Sequence, residues 1–200
     1  MSLDISNIVA SRICHDIISP IGAIHNGLEL ISMTASTDIK SPEMALINDS
    51  CQDARTRVEF FRIAFGTYQQ GQIMEASKIQ KIANAVYATP RFHLTWEMDP
   101  EMDRTWAQIL YLGLMSMERQ LTLGGSLTVS ANADHLEIIA TSERATVTHP
   151  GWERLFNQAN DLPAPADVQF HLLPMVSKAY GFTLNFRHHE IQTTLSFRPA

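Results

Sequence analysis

The first third of the chain alternates apolar and polar positions with the period of an α-helix. Apolar side chains are spaced 4, 3, 4 and 3 residues apart at Ile17, Ile21, Ile24, Leu28 and Ile31. A second segment continues in steps of 3 and 4 from Met44 to Tyr68. Such spacing gives each helix one continuous apolar side. The Ser- and Thr-rich segment 34–42, ending in a proline, separates the two. We therefore predict an antiparallel helical hairpin, with helices over 4–34 and 41–70.

A hairpin of this length cannot bury the apolar sides of both helices by itself. At 1.5 Å per residue each helix would be about 40–45 Å long. A second copy of the chain could cover the stripe, which would produce a two-fold dimer with a four-helix bundle. The alternative is that the second half of the same chain covers the hairpin. We expect the dimer.

Beyond residue 72 the pattern changes to short helices and strands. Helices are predicted from Ser77 to about Ala88, over Thr105–Leu121 and over Asp167–Tyr180. Strands are predicted over Arg91–Met98, Ser126–Ala131, His135–Thr141, Phe182–Arg187 and Ile191–Arg198. The expected fold class is α+β, with a hairpin domain over 1–72 and a domain of helices packed on one sheet over 73–200.

Composition excludes several classes of function. The chain has 200 residues, 45% hydrophobic and 18% charged, with a net charge of −6. That charge offers no general basic surface for nucleic acid. Neither a membrane-length apolar run nor a secretory signal is visible, so we expect a cytoplasmic protein without a membrane partner.

The two cysteines, Cys14 and Cys51, lack the CxxC spacing of a zinc site. Because both fall within helical patterns, we expect buried core thiols in a reducing compartment, and no bound metal.

His15 is the residue with the most distinctive surroundings. In the helical frame of the apolar positions it points outward. Ser19, Gly22, Asn26 and Glu29 follow at spacings of 4, 3, 4 and 3, on the same side of the helix. These side chains are small or polar, so a partner could approach the imidazole closely. A solvated histidine without a role is the alternative for His15 considered alone.

Two residues beside His15 oppose helix formation. Pro20 in a helix interior costs about 3 kcal/mol, leaves the carbonyl of Asp16 without its helical donor and should kink the helix. Gly22 costs up to about 1 kcal/mol relative to alanine. Residues that lower helix stability next to an exposed histidine and a carboxylate indicate a functional site.

The run from Cys14 to Leu30, with His15-Asp16 and Ser19-Pro20 near its start, resembles the phosphoacceptor motif His-(Glu/Asp)-x-x-x-Pro of two-component histidine kinases. Over its full length it resembles bacterial histidine phosphotransferases of the ChpT family. The resemblance implies a dimeric helical hairpin joined to a degenerate copy of the kinase ATPase domain.

It also implies that His15 and Asp16 are catalytic. Partner-docking residues would then be Arg12, Ser19, Pro20, Gly22 and Asn26. The implied partners are receiver domains of a hybrid histidine kinase and of response regulators. Mg²⁺ would come with the receiver, and this chain would bind no cofactor itself.

Nucleotide-binding motifs are missing from the second half. Gly113 and Met117 stand where the resembling kinases have asparagines for Mg²⁺, and neither Asp-x-Gly-x-Gly nor a P-loop occurs. Glu118 is interpreted as a solvated surface acid, with a residual metal ligand as the alternative.

We therefore predict a phosphotransferase without ATPase or autokinase activity, which passes phosphoryl between receiver aspartates through His15. Two alternatives remain open. One is an autokinase with a diverged ATP site, and the other is an adaptor that docks receivers without accepting phosphate.

Overall fold

The computed structural model describes residues 3–34, 41–67, 71–87, 89–142, 149–156 and 161–200. Helix α1 (Leu3–Thr34) and helix α2 (Pro42–Ala64) pack against each other as the predicted hairpin. Ser41 caps α2 by accepting a hydrogen bond from the backbone N–H of Met44, and Pro42 occupies the first turn. Helix α2 ends at Ala64, earlier than predicted, and Tyr68 lies outside the described residues.

Gly27 allows the two helices of the hairpin to approach closely. A Cβ atom at this position would lie 2.6 Å from Cγ1 of Ile47, and Ile47 is buried. Helix α1 continues through Pro20, whose ring is buried. The missing side chain at Gly27 therefore allows the two helices to approach each other near the loop end of the hairpin.

The second half is built on a five-stranded sheet with the strand order β2-β4-β5-β7-β6. The strands are β2 (Phe92–Met98), β4 (Gly125–Ala131), β5 (Leu136–Thr141), β6 (Phe182–His189) and β7 (Gln192–Pro199). Strands β2 and β4 are parallel, and the other neighbours are antiparallel. A separate two-stranded ribbon of β1 (Ile73–Glu75) and β3 (Glu101–Asp103) was not predicted.

The helices of the second half are α3 (Ala76–Val86), α4 (Arg104–Glu118), α5 (Gly151–Arg154) and α6 (Val168–Ala179). Buried and partly exposed residues alternate along β4 and β5, so one face of the sheet is covered. Helix α4 packs against β5, α2 and α6, and it is buried from Arg104 to Met117. The predicted α+β class and its helix-on-sheet arrangement are confirmed.

One hydrophobic core extends through both halves of the chain. Phe60 of α2 stacks on Tyr111 of α4, with ring centroids 4.4 Å apart and planes inclined by 7°. The guanidinium of Arg104 donates to the carbonyl oxygens of Arg62 and Ile63, at 2.8 and 2.9 Å. These bonds satisfy carbonyl groups that the end of α2 would leave without donors. The base of the hairpin is thus fixed to the second half.

The rest of the hairpin is not covered in this way. Ile18, Ile21, Leu28 and Val58 are between 52% and 69% exposed. The chain therefore covers the base of its own hairpin, as the second alternative predicts in part, and leaves the rest of the apolar stripe exposed.

The prediction that both cysteines are buried is wrong, since Cys14 and Cys51 are both exposed free thiols. Both thiols lie on exposed faces of their helices, although apolar neighbours such as Ile17 and Ile47 are partly or fully buried. In the part of the chain that the structure describes, no helix combines the length and apolarity needed to cross a membrane.

Candidate functional site

His15 lies on the outer side of α1, and its side chain is 85% exposed. Its Nδ1 atom lies 3.0 Å from Oδ1 of Asp16, the next residue in the helix. A carboxylate can only accept, so this contact places the ring proton on Nδ1. Nε2 then has a free lone pair, in a position that a large reactant can reach from solvent.

Asp16 is held on both of its oxygens. While Oδ1 faces the imidazole, Oδ2 lies 2.9 Å from Nη2 of Arg12, one helical turn earlier. The side chains of Asp16 and Arg12 are only 14% and 16% exposed, in contrast to that of His15. Arg12 also donates from Nη1 to the carbonyl oxygen of Ala166, at 3.0 Å. The site is therefore an exposed imidazole supported by a largely buried ion pair.

The predicted stripe beside His15 is exposed along its length. Ser19, Gly22 and Asn26 are all accessible, and a Cβ atom at Gly22 would have no neighbour within 4 Å. Pro20, which was also predicted to dock a partner, is instead buried. The surface available next to the histidine is thus small and polar, as the spacing predicted.

A cleft of about 360 Å³ lies between the hairpin and the second half, next to His15. Asp16 and Pro20 line it from α1, and Tyr87 and Glu118 line it from the second half. The prediction that Glu118 is a solvated surface acid is wrong, because this side chain is partly buried in the cleft. Helix α4 ends here, so its last polar residue faces the interdomain cleft and not bulk water.

The surroundings of Glu118 disfavour its charged form. Burial is the main cause that raises the pKa of this carboxyl above its usual range. The positive charge of Arg12 opposes the rise, and the negative charge of Asp16 adds to it. Burial also raises the pKa of the Tyr87 hydroxyl, and the negative charge of Glu118 adds to this rise. Charges of the hairpin and of the second half therefore act on one another across the cleft.

Positions 113 and 117, which the resemblance associates with metal-binding asparagines, lie inside the core. Met117 is completely buried, and a Cβ atom at Gly113 would lie 2.5 Å from Cδ1 of Ile138. Neither residue offers a hard oxygen donor to a cation.

Sequence reasoning missed the contact between Arg12 and Ala166, two residues that are 154 positions apart. The spacing of Arg12 and Asp16 was a usable local signal, because opposite charges four residues apart face each other on a helix. No local pattern indicates the backbone carbonyl at 166.

Known proteins resemble this chain in sequence and in fold. The family model described as the histidine phosphotransferase C-terminal domain matches residues 76–192. The protein phosphotransferase ChpT of Brucella abortus (strain 2308) is 34% identical over 152 residues, which cover 75% of this chain and 69% of that protein. A solved structure of a bacterial phosphotransferase superposes with a TM-score of 0.80 and 26% identity, covering 99% of this chain and 97% of that chain.

Proposed function

Since this chain belongs to the histidine phosphotransferases, with a phosphotransfer role in a phosphorelay, we propose that His15 is the residue that carries the phosphoryl group. The observation that carries the proposal is the pairing of an 85% exposed imidazole with a carboxylate on its Nδ1 side. The opposite nitrogen, Nε2, is then the nucleophile.

The reaction follows from this geometry. The Nε2 lone pair attacks the phosphorus of an aspartyl phosphate on the donor, the P–O bond breaks, and the donor aspartate leaves as a carboxylate. His15 retains its Nδ1 proton, so the phosphorylated ring carries a positive charge that Asp16 stabilises at 3.0 Å. In the second step an acceptor aspartate attacks the same phosphorus, and the imidazole leaves as the neutral ring.

Receiver domains would approach along the exposed stripe of Ser19, Gly22 and Asn26. The absence of a side chain at Gly22 favours close contact, since nothing lies within 4 Å of a Cβ built there. We propose that one such domain belongs to a hybrid histidine kinase and the others to response regulators, and that the exchange takes place in the cytoplasm.

Mg²⁺ would be held by the receiver and not by this chain. Asp16 is the carboxylate next to His15, and its two oxygens already contact His15 and Arg12. Its remaining role is to orient and stabilise the imidazole. The metal, held in the receiver's acidic pocket, would neutralise charge on the transferred phosphoryl group.

We also propose that the chain neither binds nor hydrolyses ATP. The helix that would face a nucleotide, α4, is buried from Arg104 to Met117. Helix α6 packs on it, as do α2 and β5. These contacts support the proposal, because α4 is packed into the core where a nucleotide site would require an accessible helix.

The open part of the hairpin supports a homodimer. Ile18, Ile21 and Leu28 are exposed on one side of α1, and Val58 is exposed on α2. An apolar stripe along both helices of a hairpin is complementary to a copy of itself related by a two-fold axis. We propose that a second chain covers this stripe and completes a four-helix bundle.

Replacement of His15 by alanine tests the central proposal. A phosphorylated donor receiver, the transferase and an acceptor receiver are mixed with Mg²⁺, and the label on each protein is followed over time. Native protein is expected to take up label and pass it on, whereas His15→Ala is expected to do neither. His25→Ala, which changes another exposed histidine of α1, is the control.

Equal transfer by His15→Ala and native protein would disprove the proposal. Labelling of His15 by ATP alone would show an autokinase. Receiver binding without any labelling of the native protein would show an adaptor.

A further inference from the structure

Arg12 was predicted to be a partner-docking residue, but its contacts within the chain suggest a different task. Its side chain is only 16% exposed, and both terminal nitrogens of its guanidinium are engaged. Nη2 lies 2.9 Å from Oδ2 of Asp16, and Nη1 donates to the carbonyl oxygen of Ala166 at 3.0 Å. Because the side chain is largely buried and is held at both ends of its guanidinium, it presents little surface to a partner.

We propose that Arg12 is a positioning residue: it fixes Asp16 between the second half of the chain and His15, and thereby holds His15 with its proton on Nδ1. The inference rests on the proposed function of His15 and adds to it a role for the second half. That half would support the phosphotransfer step through one backbone carbonyl, by way of Arg12 and Asp16.

The carbonyl of Ala166 is a suitable anchor because its own segment is fixed. It belongs to a 3₁₀ turn (Pro165–Asp167) that leads into α6 and contacts α1. The neighbouring Asp167 lies 3.1 Å from Nε of Arg119 at the end of α4, and 3.4 Å from Nε2 of His149. The turn is thus tied to the end of α4 and to His149, which precedes α5, and Arg12 transmits its position to α1.

The geometry also explains how Arg12 reaches the imidazole without contacting it. Arg12 and His15 bind different oxygens of the same carboxylate. A carboxylate held on Oδ2 cannot rotate freely about its side-chain bonds, so Oδ1 stays directed at Nδ1. Without Arg12, the carboxylate could turn toward solvent, and the ring could carry its proton on either nitrogen. Only the form with the proton on Nδ1 presents the Nε2 lone pair to phosphorus.

A small phosphoryl donor distinguishes positioning from docking. Phosphoramidate has no protein surface to dock. It reacts in the form whose nitrogen is protonated (–NH3⁺): the Nε2 lone pair attacks phosphorus, the P–N bond breaks, and the nitrogen leaves with that electron pair as neutral ammonia. If Arg12 positions Asp16, Arg12→Gln should lower the rate of His15 phosphorylation by phosphoramidate roughly 10-fold. This is less than the roughly 10²–10⁴-fold loss typical of removing an acid–base group outright. If Arg12 docks receivers, that rate should be unchanged.

Arg154→Gln is a matched control. Arg154 binds the carboxylate of Asp161 at 2.6 Å and its carbonyl oxygen at 2.9 Å, and its side chain is 20% exposed. It therefore makes the same two kinds of contact far along the chain from His15, and its loss should leave the phosphoramidate rate unchanged. Arg12→Lys should give an intermediate rate, because one ammonium can retain the pairing with Asp16 while losing the fork that reaches Ala166.

A readout that does not depend on transfer is the protonation pattern of the His15 ring, measured by ¹⁵N NMR. Native protein should show the proton mainly on Nδ1, and Arg12→Gln should show a larger fraction on Nε2. Thermal unfolding of each variant separates this effect from a loss of folding. A native phosphoramidate rate and a native ring spectrum in folded Arg12→Gln would overturn the inference while leaving the proposed function intact. An unlabelled His15 in native protein would instead overturn the proposed function.

Discussion

At the scale of single residues, the sequence identified the exposed histidine and its carboxylate but not what supports them. The helical period placed His15 outward, and its side chain is 85% exposed. The burial of Arg12 and Glu118 was not predictable in the same way, because it depends on the second half closing over the base of the hairpin. A helical period describes one face of one helix and contains no information on which distant segment covers it.

Glu118 provides a prediction about stability at this scale. Its pKa is raised in the folded chain, mainly by burial. A raised carboxyl pKa means that the folded state binds the proton more tightly than the unfolded state. Its contribution to stability is therefore present at low pH and is lost as pH rises through the folded pKa. Glu118→Gln imitates the protonated form and should be more stable than native protein at pH 7.5.

The expected gain in Tm is about 2–4 °C, the equivalent of about 1 kcal/mol in a chain of this size. The gain should shrink as the pH is lowered and the native carboxyl, whose pKa is raised, takes up its proton. Thermal unfolding over a series of pH values measures the effect, and Glu101→Gln, at an exposed glutamate, is the control. A variant less stable than native protein at pH 7.5 would contradict this account.

At the scale of elements, most helices and strands were predictable because glycines and prolines mark their ends. Gly181, for example, has a φ of +73° and separates α6 from β6. The end of α2 was missed because the apolar steps continue past Ala64, where the backbone instead leaves the helix and Arg104 binds its last carbonyls. Strands β1 and β3 have three residues each, too few for an alternating pattern to appear.

Two glycines of α1 provide a matched pair of substitutions at this scale. Gly27→Leu would place a side chain where a Cβ already lies 2.6 Å from Ile47, and we expect a loss of about 1–3 kcal/mol from overpacking. Gly22→Leu enters open space and should leave Tm at or above its native value, because leucine is the better helix former. It should nevertheless obstruct the approach of a receiver to His15.

Thermal unfolding and the receiver-to-receiver transfer assay together measure both effects. The expected pattern is a destabilised hairpin for Gly27→Leu and a stable protein with impaired transfer for Gly22→Leu. A native rate of transfer in Gly22→Leu would show that the stripe is not part of the docking surface. Unfolding of that variant would show that position 22 is packed.

At the scale of the whole molecule, the sequence predicted two structural halves but not their common core. The stacking of Phe60 on Tyr111 and the bonds from Arg104 to α2 join the halves through side chains 40 or more positions apart. The exposed apolar stripe was predicted only in part, since the base of the hairpin proved to be covered by its own chain.

The dimer provides the prediction at this scale. Leu28→Glu places one carboxylate from each copy in the proposed interface, and burying unpaired charges costs several kcal/mol. The dimer dissociation constant should rise at least about tenfold, since about 1.4 kcal/mol corresponds to a factor of ten. Light scattering after gel filtration, over a range of concentrations, measures it.

Leu123→Glu, at a leucine that is 65% exposed in the second half, should leave the dimer unchanged. A native protein that is monomeric at high concentration, or a Leu28→Glu variant that dimerises normally, would contradict the proposed bundle.

The packing of α4 at Gly113 has an evolutionary consequence. A Cβ atom at this position would lie 2.5 Å from the end of Ile138, a residue with no exposed surface. Reintroducing an asparagine there would force a polar amide into a filled core, at a cost of about 1–3 kcal/mol for overpacking before its hydrogen bonds are considered. Under the proposed function, a single substitution at this position would not create a nucleotide site, because the packed core between helix and sheet would first have to open. The same packing would then keep the transferase dependent on other proteins for its phosphate.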